Sequence, residues 1–133
     1  MASQSGDTIR VLIAMGLEFS AKHLARQLVP AEDILLAATA RTGDEALQLA
    51  RITRPDVILL DPMITHMSVL PVIEKLAKEV PGVSILLLTV ISDPQVLQQA
   101  LQAGAKAFLP WPPGGDRLVE NIRRLHQAGG HEN

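Results

Sequence analysis

The strongest constraint on this chain is a fivefold alternation in which short apolar runs are separated by segments of helix length. The runs are Ile9–Ala14, Ile34–Thr39, Val57–Leu60, Val83–Leu88 and Lys106–Leu109. Most hold apolar residues in succession, as strands do when helices cover both faces of their sheet. They predict an α/β fold: a mostly parallel five-stranded sheet in a three-layer, doubly wound arrangement. A chain of 133 residues accommodates one such domain with a sizeable core. Aromatic residues make up only 2% of the chain, so that core is built from Leu, Ile, Val and Ala.

The intervening segments are amphipathic. Leu17–Leu28 sets Leu17, Ala21, Leu24, Ala25 and Leu28 on one helical face and Lys22, Arg26 and Gln27 on the other, and Pro30 helps to end it. Thr42-Gly43-Asp44-Glu45 reads as a capping box ahead of Ala46, Leu47, Leu49 and Ala50. A third helix begins near Ser68, with Leu70, Ile73, Leu76 and Ala77 as its buried stripe and Pro71 tolerated in the first turn. Ser92-Asp93-Pro94 supplies cap candidates for Gln95–Ala103, and Gly104 closes that helix. The last helix, Asp116–His126, buries Leu118, Val119, Ile122 and Leu125. Residues 1–8 read as a flexible head, 9–127 as the domain and 128–133 as a flexible tail or truncated linker.

Charge and composition exclude several function classes. Twelve basic and fourteen acidic residues are interspersed with no basic block, which argues against a nucleic-acid surface. Without cysteine there is no disulfide, thiolate nucleophile or Cys-ligated zinc. No apolar stretch approaches the ~20 residues a membrane helix needs, and Met1–Thr8 is not a secretory signal. A cytoplasmic protein without membrane insertion is expected. His23, His66, His126 and His131 lack metal-site spacing, so no metal is predicted. His66, with no nucleophile at a defined distance, reads as a loop histidine rather than a base.

Three segments at suitable separation then stand out: Arg41-Thr42-Gly43-Asp44-Glu45-Ala46-Leu47, Arg54-Pro55-Asp56-Val57-Ile58-Leu59-Leu60-Asp61 and Gln102-Ala103-Gly104-Ala105. With them, Ile9–Gln127 resembles the CheY-like receiver domain of response regulators, as an atypical, degenerate member. The stretch Ile91–Arg124 is also similar to the amino-terminal receiver-like modules of pilus-assembly localisation ATPases of the Cpa/Tad type. The resemblance implies a flavodoxin-like fold with strand order 2-1-3-4-5 and a functional edge at the carboxyl ends of the strands. It further implies a phosphoacceptor aspartate, Asp61, and Mg²⁺ held by that residue and an acidic pair after the first strand.

The chain departs from this pattern where charge is handled. Met15 and Gly16 occupy the acidic-pair positions and Trp111 the lysine position. Mg²⁺ needs octahedral oxygen coordination, and phosphoryl transfer needs charge compensation around the equatorial oxygens. Asp61 alone supplies neither; Glu18 reads as a first-turn acid rather than a substitute ligand. In the family pattern Thr89 is the switch hydroxyl and Phe108 the switch aromatic. Pro112 matches a proline that commonly follows a cis peptide. Thr65 and Val69 replace residues that are commonly proline and glycine, so the loop after Asp61 is reshaped.

The face of the fourth and fifth helices is where such domains dimerise or meet their outputs. Here Gln95, Gln98, Gln99 and Gln102 present an uncharged polar surface, flanked on the last helix by Arg117 and Arg124. The expectation is a phosphorylation-independent receiver-like domain, not an enzyme, that regulates an attached output domain or a protein partner or forms a homodimer through these helices. It needs no cofactor. The alternatives are a conventional response regulator accepting phosphate on Asp61 with Mg²⁺, and a small-ligand sensor built around Asp61, Thr89 and Trp111.

Overall fold

The computed structural model of the protein describes residues 8–65, 68–90 and 93–130. Five parallel strands, β1 (Ile9–Ala14), β2 (Ile34–Ala40), β3 (Val57–Leu60), β4 (Ser84–Thr89) and β5 (Ala105–Pro110), pair in the order β2-β1-β3-β4-β5. The helices are α1 (Glu18–Leu28), α2 (Gly43–Thr53), α3 (Leu70–Glu79), α4 (Pro94–Ala103) and α5 (Gly115–Gly130), and a 3₁₀ turn, Pro62–Ile64, precedes α3. The expected flavodoxin-like architecture and strand order are therefore present.

Side-chain alternation sorts the central strands between two cores. Leu12, Ile58, Leu60, Ile85 and Leu87 pack with Ala46, Ala50, Ile73, Leu76 and Ala100 of α2, α3 and α4. On the other face Val11, Ile13, Val57, Leu59, Leu86 and Leu88 pack with Leu24, Leu28, Leu118 and Ile122 of α1 and α5. Coverage from both sides explains the unbroken apolar runs of β1, β3 and β4. At the rims it fails: Leu35 and Leu36 of edge strand β2 and Phe108 of β5 are exposed. In β2 the register slips, Leu36 facing Val11 and Ala38 facing Leu12, so Ala37 has no partner.

The caps follow local chemistry. Thr42 Oγ1 accepts the Glu45 N–H at 3.0 Å; Glu45 Oε1 accepts from Arg41 N–H at 2.6 Å, one residue earlier than in an ideal capping box. Asp93 caps α4 with Pro94 in its first turn, while Ser92 lies outside the described residues. Leu17 departs from the expected buried stripe: it is the residue before α1, without a side-chain cap, and stands in solvent. Helix α5 runs four residues past the His126 end suggested by its apolar positions. No helix among the described residues is long and apolar enough to cross a membrane.

Helix α5 is tied to the loop before β2 by a bidentate pair, Arg123 Nε and Nη2 donating to Asp33 at 2.9 and 2.8 Å. That hydrogen bond is the main cause holding the Asp33 carboxyl below its ordinary value of 3.8; partial burial opposes it. A depressed carboxylate contributes stability above its unfolded pKa and loses it as pH falls through the folded one. Urea midpoints of the wild type are accordingly expected to drop more steeply on acidification below pH 3.8 than those of Arg123→Ala.

Candidate functional site

In doubly wound sheets ligands gather beyond the carboxyl ends of the strands, where successive connections leave to opposite faces. Here that place lies between β1, which leads into α1 on one face, and β3, which leads towards α3 on the other. The Asp61 N–H donates to the Ala14 carbonyl at 3.0 Å, extending the β1–β3 pairing one step past Leu60. Asp61 is half-buried, and its Oδ1 accepts the Met63 N–H at 2.9 Å, capping the 3₁₀ turn. Its carboxylate thus has a structural task independent of phosphate.

The acidic-pair positions carry no compensating chemistry. Met15 is only 3% exposed and packs into the α1/α5 core, its N–H bonded to the Ala40 carbonyl at 3.0 Å. Gly16 gives its carbonyl to Arg41 Nε at 3.3 Å. Glu18 is exposed and pairs with Lys22 at 3.2 Å and Arg41 at 3.9 Å. Its carboxyl is held below the usual range by the Lys22 hydrogen bond first, then by the charges of Lys22 and Arg41. Among the described residues no three His, Asp or Glu side chains converge on a point suited to a metal ion. A thioether, a residue without a side chain and one carboxylate do not fit Mg²⁺.

Thr89, the last residue of β4, is 6% exposed, and its carbonyl accepts the Trp111 N–H at 3.2 Å. The Trp111–Pro112 peptide is cis. The Trp111 ring is half-buried against the α1/α5 core and meets His23 edge-on, ring centroids 6.0 Å apart. Gln27 Nε2 of α1 holds the same loop through the Pro113 carbonyl at 3.0 Å. The indole therefore fills the lysine position by packing onto α1. His66 and His131 lie outside the described residues, and His126 is at the opposite end of the sheet, near Arg54 and Asp56.

The glutamines of α4 are exposed as expected, but the surface around them is more apolar than the sequence suggested. Phe108, Pro94, Leu97 and Leu101 line a groove of about 500 Å³ together with Gln98 and Gln102. Arg124 is not part of it. This residue lines a separate groove between α1 and α5, pairing there with Glu120 at 3.5 Å. Arg117 is exposed at the start of α5, and its carbonyl accepts from Asn121.

Two further features were not recognised in the sequence. The connections leaving the carboxyl ends of β1, β3 and β4, with the first turn of α1, expose Leu17 by 68%, Phe19 by 81%, Met63 by 74% and Val90 by 76%, apolar side chains where a phosphoryl site would be polar. Between the 3₁₀ turn, the start of α3 and α4 lies a cavity of about 610 Å³. Of the three residues expected around a ligand, Thr89 lines it, whereas Asp61 and Trp111 are not among its lining residues.

Comparison with known proteins places these observations in a family. Residues 18–123 match the family described as response regulator receiver domain. The chain is 34% identical over 118 residues to the transcriptional regulatory protein YhcZ of Bacillus subtilis, covering 89% of this chain and 55% of that protein. It is 27% identical over 121 residues to the transcriptional regulatory protein LnrK of the same organism, covering 91% and 55%. In structure it is similar to a CheY-like receiver domain protein from Methanospirillum hungatei, with TM-score 0.83 at 21% identity, covering 95% of this chain and 99% of that one. Such domains serve signalling and interaction and are not enzymes in themselves. With the five-stranded order, the Asp61 edge and the match across most of its length, the chain belongs to the response regulator receiver domain family.

Proposed function

We propose that this receiver domain works without phosphorylation, as an interaction module that regulates an attached output domain or a separate protein through the surface of α4 and β5. The observation that carries the reading is the buried thioether of Met15 where a metal-binding carboxylate would be required. With Gly16 beside it and Trp111 packed on His23, neither the acidic-pair positions nor the lysine position offers a charge to hold Mg²⁺ or contact a phosphoryl group. Recognition then falls to a fixed surface. The groove of Leu97, Leu101 and Phe108, edged by Gln98 and Gln102, suits an apolar anchor ringed by neutral hydrogen bonds. The two Bacillus relatives are named transcriptional regulatory proteins and this chain spans 55% of each, which supports an output domain as the regulated partner. A second copy of the chain is the other candidate for the same face.

Retention of Asp61 at the end of β3 and Thr89 at the end of β4 favours one rival, a conventional phosphoacceptor. The two are separated by exposing the chain to acetyl phosphate with and without Mg²⁺ and reading intact mass, with Asp61→Asn as control and a conventional receiver labelled in parallel. The expected result is no gain of a phosphoryl group on this chain. A Mg²⁺-dependent adduct that disappears in Asp61→Asn would establish the rival.

A further inference from the structure

The cavity beside Thr89 is a recess into the core rather than a groove across the surface. Its floor is made by Leu87 and Ala100, both buried members of the α2–α4 core, with the buried Thr89 at its end. Its lips are the exposed side chains of Met63, from the 3₁₀ turn, and Val96, from α4. A volume of about 610 Å³ falls within the range of small-molecule sites, roughly 300–1,000 Å³.

Its chemistry selects the occupant. No charged residue lines it among the described residues. The groove between α1 and α5 carries Asp116, Glu120 and Arg123, and the one at the opposite sheet end Arg54 and Asp56. An ion entering the recess would lose hydration with no counter-charge from these residues in return. Neutral polar groups are present in Ser68, Thr89 and Gln99, able to orient a ligand without charge.

We propose that this recess binds a small, uncharged, largely apolar molecule, and that its occupancy sets the position of α4. Leu97 supplies the link, since it lines both the recess and the Phe108 groove on the other side of the helix. A ligand against Val96, Leu97 and Ala100 therefore bears on a wall of the groove assigned above to partner recognition. The coupling rests on that assignment; the binding site does not. Differential affinity for two positions of α4 would let such a ligand shift the output surface without phosphate.

The test is titration of the full chain with Nile red, an uncharged dye whose emission reports an apolar surrounding. Saturable one-to-one binding is expected, weakened about tenfold or more by Val96→Trp and independently by Met63→Trp, each of which puts bulk at an exposed lip. Ile52→Ser, on the remote exposed surface of α2, is expected to bind as the wild type does. Absence of saturable binding, or binding that survives both lip substitutions, would overturn the proposal. Loss in Leu101→Ser with retention in the lip variants would also do so, by placing the dye in the Phe108 groove. Amide exchange across 94–103 that is unchanged at dye saturation would overturn the coupling. None of these outcomes bears on the acetyl phosphate result, so the two readings fail separately.

Discussion

Replacing Met15 by Asp is expected to destabilise the domain by about 4 kcal/mol, whereas Gly16→Asp, one residue on, is expected to cost about 0.5 kcal/mol or less. Met15 is 3% exposed within the α1/α5 core, so the substitution removes a buried side chain worth about 1.5–3 kcal/mol and puts a carboxyl with no counter-charge in its place. Gly16 is half-exposed, and a Cβ there would meet nothing closer than the Arg41 carbonyl at 3.8 Å, an ordinary contact. Denaturant midpoints of the two variants measure the contrast. The buried carboxyl of Met15→Asp should resist ionisation, so its folded pKa rises above the unfolded value and its deficit relative to the wild type shrinks as pH falls. Equal tolerance at both positions would mean that position 15 opens to solvent, contrary to the burial of Met15 in the α1/α5 core.

The second large effect lies where α4 ends. Gly104→Ala is expected to cost about 3 kcal/mol and to lower Tm by roughly 10 °C. Gly104 has φ 133°, and a Cβ built on it would stand 2.8 Å from the Ala77 Cβ of α3. Backbone strain in that region costs about 1–3 kcal/mol, and overpacking adds about as much again unless α3 and α4 separate. Gly82 supplies the comparison, because its φ is 88° but no atom lies within 4 Å of the Cβ position. Gly82→Ala should therefore show the strain alone, about 1 kcal/mol. The difference between the two, read from thermal unfolding, is the packing of α4 on α3.

These contrasts show which properties were legible in the sequence. The strand order came with the family resemblance, and the five runs located the strands to within a residue or two because coverage on both faces leaves an unbroken apolar signature. Asp61 was placed by the end of Val57–Leu60 together with the family resemblance. Leu17 was misassigned because periodicity alone cannot tell the last residue before a helix from the first inside it; the answer depends on where the sheet ends. The four glutamines marked the exposed side of α4, yet Leu101 beside them is exposed too, since the width of the covered stripe is set by how α3 and β5 approach the helix. The recess at Thr89 has no linear counterpart: it is space left between the 3₁₀ turn and α4, two segments about thirty residues apart.

The slipped register of β2 bears on how this molecule behaves at high concentration. Ile34–Ala40 contains no charge and no proline, and such an uncharged rim is a ready template for pairing with another chain. The opposite rim, β5, is guarded by Lys106 and Pro110. On β2 the unpaired Ala37 breaks the regular spacing of backbone groups that an incoming strand would have to match. One border of the sheet thus deters fibre-like growth by sequence and the other by shape, and deleting Ala37 is expected to raise self-association in concentrated solution, read by light scattering.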